Sequence, residues 1–299
     1  MRDISIPKCV DAIMRDPHAA LVISLSGGKD SQGLASALRR TYDARRWVAA
    51  MYAIHMDLGR AEWSMSMSHT KRIADDADME LVIIARPQGD LVDQIEQRMI
   101  KLHGTGKPFW PSSAARYCTS DQKRNQADKV LRRHMVVISA EGIRAGESRD
   151  RSKKPVVAVR KQITSERLKR MSVQEAIGAA QPHQRIALNW YPLLHWSEED
   201  VWNECGTSRA DLERRRELYK AGDEWSALNG WPFHPAYVYG NERVSCALCV
   251  LATKSDLRVG IRHNPDLAQT YAQFEAISGF SFKKGVSISE LMAEDENDF

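Results

Sequence analysis

The sequence contains no long hydrophobic run: nothing in it approaches the about 18 consecutive apolar residues that a membrane-spanning helix needs. The first twenty residues do not read as a signal peptide. Cysteines number five, odd and irregularly spaced, which excludes a disulfide framework. In a reducing cytosol, the expected compartment, such cysteines serve as core residues, metal ligands or reactive thiols. No internal repeat and no low-complexity segment appears before the last residues. What remains is ordinary: 299 residues, 43% hydrophobic and 27% charged, enough to build one large domain or two small ones around a real core.

The net charge of +4 conceals an asymmetry. Residues 289–299 carry five acids and no base; without them the balance is 43 bases against 34 acids, or +9. This acidic tail is expected to fray and to take no part in chemistry. Residues 144–170 hold ten bases (Arg144, Arg149, Arg151, Lys153, Lys154, Arg160, Lys161, Arg167, Lys169, Arg170) against Glu147, Asp150 and Glu166. Such a block suits a polyanionic partner; the competing reading is a solvated basic loop.

Short apolar runs alternate with helical patterns through the first half. Residues 20–25 (Ala-Leu-Val-Ile-Ser-Leu) look like a strand buried on both faces, and residues 47–56, 81–85 and 135–139 like three more. Helical spacing follows at 31–42, 64–78 and 91–102. Strand–helix–strand alternation predicts a doubly wound, mostly parallel sheet in an α/β fold. Residues 155–159 suggest one further strand. Ser197, with Asp200 three residues on, predicts a capped helix to Cys205. Residues 211–222 read as a charged surface helix, and residues 230–240, with two prolines and four aromatics, as an ordered loop.

Ser26-Gly27-Gly28-Lys29-Asp30-Ser31 lies between the first strand, which ends near Ser24, and the first helix. Glycines let the backbone turn N–H groups toward one point, and the new helix adds its positive end, making an anion site. Lys29 contributes a cation, Ser26 and Ser31 hydroxyls. The spacing matches neither G-x-x-x-x-G-K-[ST] nor G-x-G-x-x-G.

This loop resembles the pyrophosphate-binding loop of the N-type ATP pyrophosphatases. Further elements are similar to those of the phosphoadenosine phosphosulfate (PAPS) reductase branch: Asp57-Leu58-Gly59 to "D-T-G", with leucine in place of threonine; Arg116-Tyr117-Cys118-Thr119 with Lys123 to "R-x-C-T-x-x-x-K". Gly142-Ile143-Arg144 with Glu147, Ser148 and Arg151 resembles "G-x-R-x-x-E-S-x-x-R". Pro192-Leu193 with Trp196 and Asp200-Val201-Trp202, and the segment from His234 to Cys246-Ala247-Leu248-Cys249, complete the set in family order, over most of the chain. The resemblance implies an adenine nucleotide α-hydrolase-like sheet over residues 1–205, a smaller, largely helical cysteine-bearing part over 206–288, and the tail.

It further implies ATP and Mg²⁺, with Lys29, Asp30 and Arg144 catalytic. Nucleotide contacts would come from Ser24, residues 26–31, Asp57, Gly142, Arg144, Arg149 and Arg151, with Asp30 or Asp57 on the metal. Guanidinium forks bind phosphate oxygens in pairs, and the arginines follow a strand's carboxyl end, where open sheets place ligands. Cys246-x-x-Cys249 alone is a metal clip, a redox pair or core. With Cys118 it makes a three-thiolate set suited to a 4Fe-4S cluster with one open iron; zinc, with Cys205 or His234 as fourth ligand, and free thiols are the alternatives. Trp63 and Trp110 are candidates to stack on a base. Cys9 reads as structural, and His55 and His234 are the histidines within motifs.

No cysteine follows Cys249, and the phosphate loop is intact; both differ from sulfate-reducing relatives. The resemblance therefore implies an ATP pyrophosphatase that adenylates an acceptor for sulfur insertion, as in DNA phosphorothioation. A PAPS reductase of sulfate assimilation, a tRNA thiolation enzyme and a non-catalytic nucleotide-sensing DNA-binding module are the alternatives. Expected partners are nucleic acid, DNA ahead of tRNA, and a sulfur donor such as a cysteine desulfurase; no membrane is involved, and a homodimer is compatible.

Overall fold

The computed structural model describes residues 2–297 and gathers the strand patterns into one sheet. Its strands are β1 (Ala19–Ser24), β2 (Ala50–Asp57), β3 (Leu81–Ala85), β4 (Val136–Ala140), β5 (Val157–Val159) and β6 (Ile186–Trp190), in the order β3-β2-β1-β4-β6-β5. β1 pairs in parallel with β2 and β4, and β4 with β6; β5 runs antiparallel to β6 at the edge. Ala19 to Ile23 are all buried, as their continuous apolar character requires. The chain leaves β1 toward β2 and β3, then returns on β1's other side at β4. Strand order thus reverses between β1 and β4, the place where open α/β sheets bind ligands.

The chain divides into two compact units. One comprises the chain up to His55, Ser68–Ile83 and Ala127–Leu212; the other comprises Met56–Met67, Ile84–Gln126 and the chain from Glu213 onward. In the first, helices α1 (Lys8–Met14), α2 (Lys29–Arg45) and α3 (Ser66–Asp76, shared across the division) accompany the sheet, whose core includes Leu21, Ile23, Leu34, Ile138, Leu188 and Trp190. Gly33 of α2 would place a Cβ 3.1 Å from Val201 Cγ1, so a glycine there lets the Glu198–Glu204 helix lie close. That helix starts on the expected Ser197–Asp200 capping box.

In the second unit, α4 (Leu91–Leu102) buries Leu91, Ile95 and Met99, the face its spacing predicts, and opens on an Asp90–Asp93 capping box. The core there is aromatic: Phe109, Trp110, Tyr271, Phe274 and Phe282.

Three elements depart from the sequence reading. β6 is absent from it, because the apolar run at Ile186-Ala187-Leu188 is too short before Asn189 to stand out. Arg209–Lys220 is not a purely solvated helix: Arg215 and Arg216 are buried and donate to the carbonyls of Ala227, Asn229, Tyr237 and Asn241. The described part of the tail is helical, from Ile288 to Asn297, where fraying was expected, with Ile288 and Leu291 buried; residues 298–299 lie outside the described residues. The Glu275 carboxylate accepts from the backbone N–H groups of Ile288 and Ser289 and so anchors its start.

One buried network positions the carboxyl end of β4. Arg160 donates to Asp128 Oδ1 at 2.8 Å and Asn189 Oδ1 at 2.7 Å, and reaches Glu141, the residue after β4, at 3.3 Å. Removing one partner of a buried pair strands the other charge. We therefore expect Arg160→Met to lower stability in urea unfolding by about 3–5 kcal/mol, and adding Asp128→Leu to restore most of that loss. Additive losses in the double variant would contradict this.

Candidate functional site

After β1 the chain must turn sharply into α2. Gly27 takes a left-handed φ of 72° that a side chain would resist, and Gly28 is the extended N-cap of α2. Ser31 Oγ donates to Gly28 O at 2.8 Å and accepts from Ser26 N at 3.2 Å, so this hydroxyl stitches the loop to the helix's first turn. Ser26 is exposed, and Ser24 ends β1.

Lys29 is buried with its Nζ 3.4 Å from Glu198 Oε1 and 3.8 Å from Asp30 Oδ2, and 5.4 Å from the centroid of the Trp202 ring. Arg144, also buried, donates from Nε to Asp30 Oδ1. Burial opposes the Arg144 charge, but Asp30, Glu147 and Glu198 outweigh it and raise its pKa above the ordinary value. A Cβ on Gly142 would sit 2.5 Å from the Asp30 carbonyl oxygen, so the backbone leaving β4 lies directly on the first turn of α2. Glu147 accepts from the Arg144 N–H at 2.9 Å and pairs with Arg151; Ser148 caps the turn Arg149–Ser152, where Arg149 is exposed. Two buried cations thus meet at the start of α2, each held by carboxylates. His55 is buried and bonds the Leu25 carbonyl through Nδ1, a satisfied core histidine.

The second unit carries the thiols. Cys118, Cys246 and Cys249 are free and half-buried. Burial pushes the Cys246 thiol up to about 12; Lys123 pulls against it, while Cys249 and Cys118 push it further. The three thiols therefore share one neighbourhood. Ala247 N donates to Ala61 O at 2.9 Å, and a Cβ on Gly260 would meet the Ala247 carbonyl at 2.2 Å, so the Cys-x-x-Cys turn lies against the Lys254–His263 helix. Among the described residues, no three His, Cys, Asp or Glu side chains are grouped to hold a single metal ion.

His234 is fully buried, its Nδ1 accepting from Ala236 N and its Nε2 bonded to Ser66 Oγ. Cys205 belongs to the first unit, and burial, with Glu204 and Asp76, pushes its thiol up to about 12. Trp63 and Trp110 are buried in the second core rather than displayed on loops.

The phosphoadenosine phosphosulfate reductase domain model matches residues 20–251. The chain belongs to this family. No curated protein sequence matches it. Among solved structures, the phosphoadenylyl-sulfate reductase of Candida auris, a phosphate complex, aligns at 13% identity and a TM-score of 0.42, over 82% of this chain and 98% of that one. The U34-tRNA thiolase NcsA of Methanococcus maripaludis, with its [4Fe-4S] cluster, aligns at 15% identity and 0.41, over 73% of each chain. An FMN adenylyltransferase of Candida glabrata aligns at 14% and 0.30, over 63% and 47%.

The family member's first unit thus brings together Gly28, Lys29, Asp30, Ser31, Gly142 and Arg144. Asp57 lies in the other unit, where its Oδ1 accepts from Gly59 N at 2.8 Å. Sequence reasoning missed Glu198 and Gly260. The capping box marked the first turn containing Glu198, but nothing local said that its carboxylate would meet Lys29.

Gly142→Ala should weaken ATP binding at least about tenfold by displacing the first turn of α2, whereas Gly146→Ala, with open space around its Cβ, should leave it unchanged. Equal effects in calorimetry would contradict the close approach. The chain should lose stability as pH rises from the ordinary thiol value of 9 toward about 12, because Cys246 is protonated in the fold and deprotonates earlier when unfolded. Thermal unfolding between pH 8 and 11 checks this; Cys205 adds a slope of the same sign, so Cys246→Ala should reduce the slope and Cys246→Ala with Cys205→Ala should reduce it further.

Proposed function

We propose that this family member splits ATP between its α and β phosphates, adenylates an acceptor and so prepares it for sulfur insertion, the acceptor being nucleic acid and DNA ahead of tRNA. The observation that carries this reading is the intact loop, with Lys29 and Arg144 buried at the N-terminus of α2. An acceptor oxygen attacks the α phosphorus, the bond from that phosphorus to the bridging oxygen breaks, and pyrophosphate leaves. Lys29 and the N–H groups of α2's first turn stabilise the charge that gathers on the leaving group. Arg144 releases Asp30 to bind a phosphate oxygen, and Asp30 then orients Lys29.

Three neighbouring thiols, with no further ligating side chain grouped with them among the described residues, suit a 4Fe-4S cluster with an open iron better than zinc, which draws four ligands to within about 2.3 Å. Cys118, Cys246 and Cys249 would hold it, and when bound it would supply the sulfide that displaces AMP. A separate sulfur donor such as a cysteine desulfurase, together with a thiol reductant that supplies the two electrons taking its persulfide sulfur to sulfide, would restore that sulfide. Arg144 and Arg160 are buried and Arg151, Lys154 and Lys169 half-buried, so the fully exposed, polyanion-facing part of residues 144–170 narrows to Arg149, Lys153, Lys161, Arg167 and Arg170.

Lys29→Ala should fold normally yet lose AMP formation from α-³²P-labelled ATP by about 3–4 kcal/mol of barrier, a hundredfold or more. Undiminished turnover would remove the loop from the reaction. Duplex DNA affinity should fall with salt at a logarithmic slope no steeper than about −4.5, five phosphates at −0.9 each; salt-independent binding would point to a small-molecule acceptor.

A further inference from the structure

Glu198, in the first turn of its helix, belongs to none of the motifs singled out in the sequence, yet its Oε1 stands between two cations, 3.4 Å from Lys29 Nζ and 3.9 Å from Arg209 Nη1. The two differ in surroundings. The Lys29 side chain is 5% exposed, so its ammonium has given up nearly all its water, whereas Arg209 still reaches solvent. Asp30 is the other carboxylate beside Lys29, with Oδ2 at 3.8 Å and Oδ1 accepting from Arg144 Nε. Of the two, Glu198 is the nearer to Lys29 and the more exposed. Its charge also reaches Arg144. The backbone beneath it is fixed by the close approach of Gly33 to Val201 and by the Ser197–Asp200 capping box, so only the side chain is able to move. Glu147 and Asp200 are tied to backbone N–H groups, while Glu198 is held by its cations.

We propose that Glu198 is a built-in competitor of the polyphosphate: it neutralises Lys29 until a pyrophosphate group arrives, then swings off Lys29 while keeping Arg209, and returns when pyrophosphate leaves. A buried lysine without an anion is costly, so the chain supplies one of its own. A carboxylate and a phosphate oxygen crowded onto the same ammonium repel each other, and breaking the Lys29–Glu198 pair is part of the cost of binding. Such a gate has the opposite signature to a residue that holds Lys29 in its working position. Removing the charge of a support weakens phosphate binding, and removing the charge of a competitor strengthens it. The inference rests on the proposed function for the identity of the anion, but binding is measurable without turnover.

The test is a calorimetric titration of the full chain with inorganic pyrophosphate, run on the parent, Glu198→Gln and Glu199→Gln. Glutamine keeps the size and polarity of the side chain and removes only its charge. Glu199 is the exposed neighbour, accepting from the Arg209 backbone N–H at 3.2 Å, and controls for a change in surface charge. Glu198→Gln should bind pyrophosphate at least about threefold more tightly than the parent, the scale of a partly exposed ion pair, and Glu199→Gln should stay within about 1.5-fold of it. Thermal unfolding gives a second readout. Glu198→Gln should melt below the parent without pyrophosphate, and the gap should narrow at saturating pyrophosphate, where the pair is already broken. A purely structural role would leave that gap unchanged. The proposal is overturned if Glu198→Gln binds pyrophosphate as the parent does or more weakly, if Glu199→Gln gains as much, or if the parent binds no pyrophosphate. Absence of ATP cleavage with a tightened Glu198→Gln would sink the proposed function and leave this inference standing; cleavage without the tightening would sink this inference alone.

Discussion

The first unit depends on one close approach of backbone to backbone. Gly142, just past β4, rests on the Asp30 carbonyl in the first turn of α2, at a distance that no side chain permits. Because β1 and β4 are parallel neighbours, their following loops emerge side by side at the reversal of strand order. That contact lets Arg144 reach Asp30, which in turn touches Lys29. The Arg160 network behind it holds Glu141 and the carboxyl end of β4 to β6, so the loop's position is inherited from the sheet.

The charge arrangement explains how such a loop tolerates two buried cations. Burying Lys29 and Arg144 without partners would be prohibitive, and Asp30, Glu147 and Glu198 provide those partners in the ligand-free chain. On the proposed function, phosphate binding would exchange these carboxylates for phosphate oxygens. In the second unit the same economy of space recurs at Gly260, whose missing side chain admits the Ala247 carbonyl and so fixes the turn between Cys246 and Cys249.

Much of this was legible in the chain's own residues. The strand at 20–25, the Gly27-Gly28 turn, the helix at 91–102 and the Ser197 cap are local, each set by a run, a glycine or a capping pair. What escaped was long-range. β6 is a short run that becomes a strand only beside β4, and the basic character of residues 144–170 hid two arginines whose carboxylate partners are distant in sequence or buried. Trp63 and Trp110 followed the general preference of large aromatics for a core. His234, in a segment that resembles a ligand-bearing one, spends both ring nitrogens on its own turn and on Ser66.

The central claim is that the buried lysine and arginine at the start of α2 serve cleavage of ATP at its α phosphorus. Phosphorus-31 NMR of the purified chain turning over ATP with Mg²⁺ and acceptor tests it most directly. The account predicts AMP and pyrophosphate growing in equal amounts, with no ADP. Accumulation of ADP and inorganic phosphate would place the cleaved bond elsewhere and contradict it.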